Sequence, residues 1–526
     1  MSELQAERSI GGTGNLSNEK TAAPLLVDRF ENIVVTHQRK LIVIVLGLYL
    51  AGFNGQWRLE PDSALFLSLG RNLAEGRGYT YLGRPNHLAY PGLPWVNAAL
   101  FKLFGDHALF AANTFMLLTA VAALGLTYRL FRLHAGSATA MVVMLGVGIT
   151  KTFYRYAFEL RSDMPFLLGV MAFFCGFEAI FTKPTEDQKR SAGWFDWTLL
   201  IGGFALAAVM RPTMWTLLLA IIGSVVYQVA RRRMPWQTLL LPIGAIALGA
   251  AVMVSWGNGA GVGSGYEWYV INSLTHQFGG VLAILPEHLK ELLTWATADA
   301  VFQVRLGPGN VIISTALIVL GVGLLRNRVL WGLFFIGTVL MILIILPLDR
   351  YYLPVIPLMV FAWWQALQKL NRAMPNRAGQ WITFALLMLG MASNLDKVGG
   401  IIVEQRSMPF IEGYDGGAFE PLTRLADVIN KDVDENAVVL ISSPYGRIMA
   451  FLSRRNIVDS HHFDDIDIQA HPIYVVEPAE TPIRELLLSY GLQVGPVIDT
   501  VSSERNGQWT LRKTIPLPPS VMLDQE

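Results

Sequence analysis

Cysteine is almost absent from the 526-residue chain, in which Cys175 is the single one. A disulfide framework is therefore excluded, and cysteines say nothing about the compartment of an outer domain. Charge is also scarce, because Asp, Glu, Lys and Arg make up 15% of the residues, whereas soluble domains carry about 25%. The net charge of +1 gives no indication of a nucleic-acid partner, and we expect none.

The first residues, "MSELQAERSIGGTGNLSNEK", lack the apolar core of a signal peptide, and we expect residues 1–40 to be a disordered cytoplasmic tail. Apolar residues, in contrast, are abundant: they make up 53% of the chain, and the mean hydropathy is +0.42. Many apolar runs are long enough to cross roughly 30 Å of hydrocarbon. The sequence therefore predicts a multi-pass protein of the plasma (inner) membrane.

The apolar runs predict about eleven membrane spans. They cover residues 41–56, 107–128, 138–157, 164–182, 196–211, 213–230, 236–256, 311–325, 329–348, 353–369 and 380–395. Short loops rich in Lys and Arg fall on one side if the N-terminus is cytoplasmic, which the positive-inside rule favours. An odd number of spans then places the C-terminus outside the cytoplasm.

The predicted fold is mainly α: a transmembrane bundle over residues 41–395, with outer loops at 57–106 and 257–310. The tail, residues 396–526, has a different pattern. Leu422, Leu425, Val428 and Ile429 recur at helical spacing, and "NAVVLISS" and "HPIYVVEP" are typical of strands. This alternation predicts a small extracytoplasmic α/β domain.

The first outer loop opens with "PDSALFLSLGRNLAEG", in which an apolar stripe predicts a helix lying in the membrane interface. Asp62 stands at the start of this helix, where a carboxylate is a favoured cap. The alternative is a carboxylate that faces a cavity as a general base or a metal ligand. In "ELRSDMPFLL", Glu159 and Asp163 occupy the turn after the third span, and the same two interpretations apply to Asp163.

Several cationic and aromatic residues also lie on the predicted outer side. Arg211 and Arg350 each follow an apolar span, where they could reach the lipid headgroups or bind phosphate. Tyr351 beside Arg350 could pack on an isoprenoid or a sugar, and Arg58 adds positive charge to the first loop. His87 and Tyr90 in "RPNHLAYPG" could contact a substrate, although a lone His is more often structural. His461 and His462 match no metal-binding spacing, and we assign no metal ligand.

The motifs "PDSALFLSLGRNLAEGRGYTYLGRPNHLAYPG", "LRSDMPFLL" and "DRYYLPVIP" resemble the GT-C superfamily of integral-membrane glycosyltransferases. The similar branch contains the protein O-mannosyltransferases and the aminoarabinose transferase of lipid A. Two details depart from that branch: Pro61 separates Glu60 from Asp62, where many members have adjacent acids, and the "YPP" turn is "YPG".

The resemblance implies a hexosyl- or pentosyltransferase that moves a sugar from a polyprenyl-phosphate donor to a glycan, lipid or protein acceptor on the periplasmic face, with inversion. Asp62 would be the general base, and Asp163 would be the second acidic residue, which assists catalysis or holds a cation. Arg350 and Arg211 would hold the donor phosphate, and His87, Tyr90, Tyr351, Glu159 and Arg58 would contact substrate. The cofactor is unknown, and a divalent cation near Asp62 and Asp163 stays open.

Two alternatives compete with this interpretation. Charges facing a membrane interior and Gly-rich outer loops also occur in lipid or solute transporters and flippases. An O-antigen-type ligase or polymerase would also use a lipid-linked substrate. Against a transporter, the charged residues are predicted at one membrane face and not at the midplane.

Overall fold

The computed structural model describes most of the chain. The described residues are 26–58, 60–81, 84–86, 89–181, 193–257, 275, 281–303, 307–374, 377–407, 420–441, 445–459, 471–478, 487–488, 491–503 and 507–517. Within them the protein is mainly helical, with a small mixed sheet near the C-terminus. This confirms the mainly helical prediction with a small sheet in the tail, whereas the side of the membrane on which the tail lies stays a prediction.

The longer helices up to residue 257 are Leu26–Thr36, Gln38–Gly52, Pro61–Ala74, Gly92–Phe104, Ala108–Ile149, Asp163–Phe181, Trp194–Met210, Met214–Ala230 and Leu240–Gly257, with the short helix Lys151–Tyr156 among them. The later ones are Val281–Glu291, Thr297–Val301, Pro308–Gly323, Val329–Ile345, Ile356–Ala373, Arg377–Ser407, Glu420–Asp432 and Tyr445–Ser453.

Among the described residues, four helical segments are long and apolar enough to cross a membrane. A fifth is added if the helices Arg29–Thr36 and Gln38–Gly52, bent by 76° against each other, form one span. Four shorter apolar helices accompany them, including Trp194–Met210 and Val329–Ile345. The protein is thus an integral membrane protein, and the exact number of spans stays a prediction.

Three helices differ from their expected course. Leu26–Thr36 is helical inside the segment expected to be a disordered tail. The second and third predicted spans form one 42-residue helical stretch, Ala108–Ile149, that is broken only at Gly136. The φ of Gly136 is 81°, a backbone conformation that glycine adopts without steric cost. The helix Arg377–Ser407 runs past the predicted domain boundary at residue 396, and its end packs on the first span, where Arg406 donates a hydrogen bond to the Ala51 carbonyl at 2.8 Å.

The helices Asp163–Phe181 and Trp194–Met210 touch backbone to backbone. Gly169 and Gly176 on the first helix face Gly203 and Leu200 on the second. A Cβ added at Gly203 would lie 2.7 Å from the Gly169 carbonyl oxygen and still closer to the Phe173 nitrogen. Small residues permit this approach, which gives close packing between membrane helices. The contact matters for the site because Asp163 begins one helix and Arg211 follows the other.

The first loop contains two short strands, β1 (Thr80–Tyr81) and β2 (Arg84–Pro85). The C-terminal sheet is built from β3 (Val438–Ile441), β4 (Asn456–Asp459), β5 (Ile473–Pro478), β6 (Leu492–Ser503) and β7 (Gly507–Pro516). Its strands lie in the order β4–β3–β5–β7–β6. β3 is parallel to β4 and β5, and β7 is antiparallel to β5 and β6. Leu422, Leu425 and Ile429 of the predicted amphipathic helix are fully buried.

The C-terminal helix Tyr445–Ser453 docks on the first-loop helix Pro61–Ala74. Arg71 donates a hydrogen bond to the Phe451 carbonyl at 2.8 Å, and its guanidinium lies 3.9 Å from the centre of the Phe451 ring. The Trp57 ring also meets the Phe451 ring edge-on, with 4.8 Å between the two ring centres. A desolvated cation over an aromatic face is attractive, so the tail domain is held against the first outer loop.

We expect Gly203→Ala to destabilise the protein by about 1–3 kcal/mol, because the added methyl group overpacks the helix contact. Gly202→Ala is the matched control, since an added Cβ there meets no atom within 4 Å. Thermal unfolding of the detergent-purified variants measures the difference. Equal unfolding temperatures for the two variants would show that the helices can move apart without loss of stability.

Candidate active site

Asp62 is bound by two guanidinium groups that come from distant parts of the chain. Its carboxylate accepts hydrogen bonds from Arg350 at 2.9 Å and from Arg447 at 3.0 Å. The N-cap position of the helix is Glu60, which makes no side-chain cap, with Pro61 next. The capping interpretation of Asp62 is therefore wrong, because the carboxylate bonds to cations and not to its own helix end.

The electrostatics of Asp62 result from two opposed effects. Burial disfavours the charged carboxylate, but the positive charges of Arg350, Arg161 and Arg447 outweigh burial and lower the pKa of Asp62 to about 2. Its side chain is still 37% exposed, so a ligand can reach it. Asp62 is thus ionised at neutral pH, and it binds protons weakly as long as both arginines hold it.

Asp163 and Arg211 form a second ion pair beside the first. Asp163 is the first residue of its helix, and Arg211 follows Met210 with extended backbone (φ −152°). Their side chains are in direct contact and mostly buried. The close contact between the two helices described above brings these residues together.

Tyr351 connects the two ion pairs. Its hydroxyl accepts a hydrogen bond from Arg350 at 3.1 Å. The guanidinium carbons of Arg350 and Arg211 lie 4.9 and 5.4 Å from the centre of its ring. The residues predicted to be catalytic, Asp62 and Asp163, and those predicted to bind phosphate, Arg350 and Arg211, therefore form one cluster.

A layer of buried charges lies behind this cluster. Glu159 is 1% exposed and faces three guanidinium groups: Arg155 at 2.7 Å, Arg161 at 3.3 Å and Arg58 at 3.8 Å. Arg161 also pairs with Glu60, and Arg58 pairs with Glu404 at 2.7 Å. This geometry favours a structural role for Glu159 and Arg58, and their predicted contact with substrate stays a prediction.

Of the two other residues predicted to contact substrate, Tyr90 and His87, only Tyr90 lies in the described part of the chain. Tyr90 is buried just before the helix Gly92–Phe104. His87 lies outside the described residues, as do His461 and His462.

Arg447 was missed at the sequence level. It lies 385 residues from Asp62 in an amphipathic helix of the tail domain, and no local motif marks it. Only the docking of that domain brings it to the site.

The donor set does not fit a divalent cation. Among the residues described, no three His, Cys, Asp or Glu side chains are grouped so that they could hold a metal ion. Asp62 and Asp163 are each bound by arginine, and a bound cation would meet these positive charges. We therefore derive no step through a metal.

The comparisons with known proteins agree with this architecture. Residues 85–256 match the family model described as dolichyl-phosphate-mannose-protein mannosyltransferase. ArnT from Cupriavidus metallidurans in the apo state is similar in structure, with a TM-score of 0.55 and 15% identity over 91% of this chain and 98% of that chain. The same protein bound to undecaprenyl phosphate has a TM-score of 0.53 and 14% identity, with 90% and 97% of the chains covered.

The Archaeoglobus fulgidus oligosaccharyltransferase in its apo form is similar over 83% of this chain and 69% of that chain, with 11% identity and a TM-score of 0.51. The chain has the GT-C fold. The predicted resemblance is thereby confirmed. No curated protein matches this sequence.

We expect Glu159→Gln to destabilise the GT-C bundle by about 3–5 kcal/mol, because it leaves three buried guanidinium groups short of a negative charge. The control is Glu287→Gln, which removes the same charge from an exposed pair with Lys290. Such pairs contribute little, and this variant should unfold at nearly the wild-type temperature. A Glu159→Gln protein as stable as the control would contradict a structural role for the buried layer.

Proposed function

We propose that the protein is an inverting membrane glycosyltransferase that uses a polyprenyl-phosphate sugar as donor. The observation that supports this most is the cluster in which Asp62 is held by Arg350 and Arg447 and linked through Tyr351 to Asp163 and Arg211. Guanidinium groups match the geometry of phosphate oxygens, with two parallel hydrogen bonds available from each fork. Such a site suits a ligand that carries both a phosphate and a reacting sugar.

Binding of the donor phosphate would change the partners of the arginines. In the free protein, carboxylates occupy the guanidinium groups of Arg350 and Arg211. Phosphate oxygens would compete for the same donors and loosen these ion pairs. Because the arginines lower the pKa of Asp62, their transfer to phosphate would raise it. Asp62 would then become a stronger base only when the donor is bound.

The reaction is a displacement at the anomeric carbon. The acceptor hydroxyl or amine attacks from the side opposite the phosphate, and Asp62 takes the proton of the acceptor. The bond between the anomeric carbon and the phosphate oxygen breaks, and its electron pair leaves with the phosphate. Arg350 and Arg211 stabilise this growing negative charge, and Asp163 positions Arg211 for this contact before the donor binds. One displacement inverts the configuration of the sugar.

The positions of the charges favour this function over transport. Asp62 and Asp163 lie in the first turns of their helices, Arg211 directly follows a helix, and Arg350 lies in the turn Asp349–Val355. The cluster thus lies at one end of the bundle. With the N-terminus in the cytoplasm, as the basic loops favour, this end and the tail domain face the periplasm. Transfer to an acceptor hydroxyl or amine on the periplasmic face and a location in the inner membrane are parts of this proposal.

Substitutions of Asp62 and Arg350, the two members of one ion pair, should affect binding of the lipid phosphate differently. Asp62→Asn should reduce transfer by about 10²–10⁴-fold, because the proton acceptor is lost. The same variant should bind undecaprenyl phosphate as tightly as the wild type or more tightly, since Arg350 no longer has a competing carboxylate. Arg350→Ala should instead weaken binding of the lipid phosphate. Equilibrium binding and single-turnover transfer measure the two quantities.

Asp106→Asn is the control for these variants, because Asp106 is exposed and lies on the short turn Gly105–His107. It should change neither quantity. Weaker lipid binding by Asp62→Asn would contradict competition between carboxylate and phosphate, and transfer at the wild-type rate would reject Asp62 as the base.

The pH dependence of kcat/KM for the donor tests the link between Arg447 and Asp62. This quantity reports groups of the free enzyme, in which the pKa of Asp62 is about 2. The rate falls when pH drops through that pKa, so the wild type should show no acid limb under mildly acidic conditions. Arg447→Gln removes one lowering charge and should move the limb to higher pH. Lys431→Gln, an exposed change in the same domain, should leave the profile unchanged, and identical profiles for all three proteins would contradict the coupling.

A further inference from the structure

A second polar pocket lies between the first outer loop and the tail domain, apart from Asp62. It offers about 80 Å³ to water-sized molecules and opens between the end of the helix Pro61–Ala74 and the turn that joins the helix Tyr445–Ser453 to β4. Its lining includes Ser68, Arg71, Asn72, Arg77, Arg454 and Arg455.

Positive charge in this pocket exceeds the negative charge available to it. Arg77 pairs with Glu75, and Arg455 lies 3.6 Å from the exposed Glu435. Arg71 uses the Phe451 carbonyl and ring as its partners. Burial and the nearby charge of Arg454 lower the pKa of Arg71 to about 10. Like charges held this close favour a bound anion.

Two buried polar atoms at the pocket have no hydrogen-bond partner within the described part of the chain. They are the hydroxyl of Ser68, a residue only 9% exposed, and Nε of Arg455. A buried hydroxyl or N–H without a partner is unfavourable, and both can donate to an oxyanion. These donors point to a ligand independently of the charge excess.

The backbone of Arg454 gives a third observation. Its φ is +55°, in the left-handed region, directly after the end of the helix at Ser453. Glycine is the usual residue at this position of a helix end, because a side chain there is strained. A strained residue next to a pocket suggests that its side chain has a function there.

We propose that this pocket binds an oxyanion, a phosphate or a carboxylate, carried by the acceptor. This inference rests on the proposed function. Arg71 follows Asp62 by nine residues on one helix, which separates them by about 14 Å along the axis. An acceptor whose anionic group lies on the order of 14 Å from its reacting hydroxyl could therefore occupy both places. A neutral acceptor would leave the pocket without a ligand.

The test uses the full chain in detergent, first saturated with undecaprenyl phosphate so that the arginines near Asp62 are occupied. Inorganic phosphate and glucuronate are then titrated separately by calorimetry, which distinguishes the two classes of oxyanion. We expect one of them to bind to the wild type and to bind at least tenfold more weakly to Arg454→Gly. This substitution removes the guanidinium while it relieves the backbone strain, so a loss of binding would not come from unfolding.

Arg232→Gly is the matched control. Arg232 also has a positive φ, of 54°, after a helix end. This variant therefore loses the same charge and relieves the same kind of backbone strain, but away from the pocket. It should bind the probe as the wild type does. No binding of either probe, or equal binding by all three proteins, would overturn the proposal.

The transferase proposal is judged separately in the same preparations. If the oxyanion binds and depends on Arg454 but no sugar is transferred, the pocket stands and the proposed function fails. If transfer proceeds and Arg454→Gly changes neither probe binding nor KM for the acceptor, the function stands and the pocket proposal fails.

Discussion

Charge pairing at one end of the helix bundle is the constraint on which this site depends. A carboxylate or a guanidinium that is removed from water is strongly unfavourable unless an opposite charge or hydrogen bonds compensate it. The protein buries both kinds here and pairs them across elements far apart in sequence, as Asp163 with Arg211 and Glu60 with Arg161. These pairs hold the ends of several helices in register, so the same contacts that stabilise the bundle also define the candidate site.

The two layers of charge differ in how readily a ligand anion could replace the carboxylate that binds the arginines. Glu159 and its arginines are closed off from solvent, and nothing can replace that carboxylate without a large loss of stability. Asp62 is more than a third exposed, and its arginines can turn to another anion. A rigid inner layer thus supports an exchangeable outer one. This division is what a site needs if it must bind a phosphate, release it and keep its shape.

The sequence predicted the parts of this arrangement that local pattern controls. Helices, the α/β tail and four charged residues at helix ends follow from apolar periodicity and from where charge interrupts it. The pairing of these residues did not follow, because capping and ion pairing look alike around Asp62 in sequence. Helix continuity across predicted span ends, as at Arg377–Ser407, depends on packing against the first span. The position of Arg447 depends on the docking of a whole domain.

That docking suggests why the tail domain is joined to the bundle. Phe451 contacts both Trp57 and Arg71, and it lies about one turn along its helix from Arg447. The aromatic contact therefore fixes the distance at which Arg447 reaches Asp62. If the domain moved outward, Asp62 would lose one of its two bonded guanidinium groups, and its pKa would rise. A ligand that bridges the first loop and the tail domain would hold Arg447 beside Asp62 and so keep the pKa of that carboxyl low.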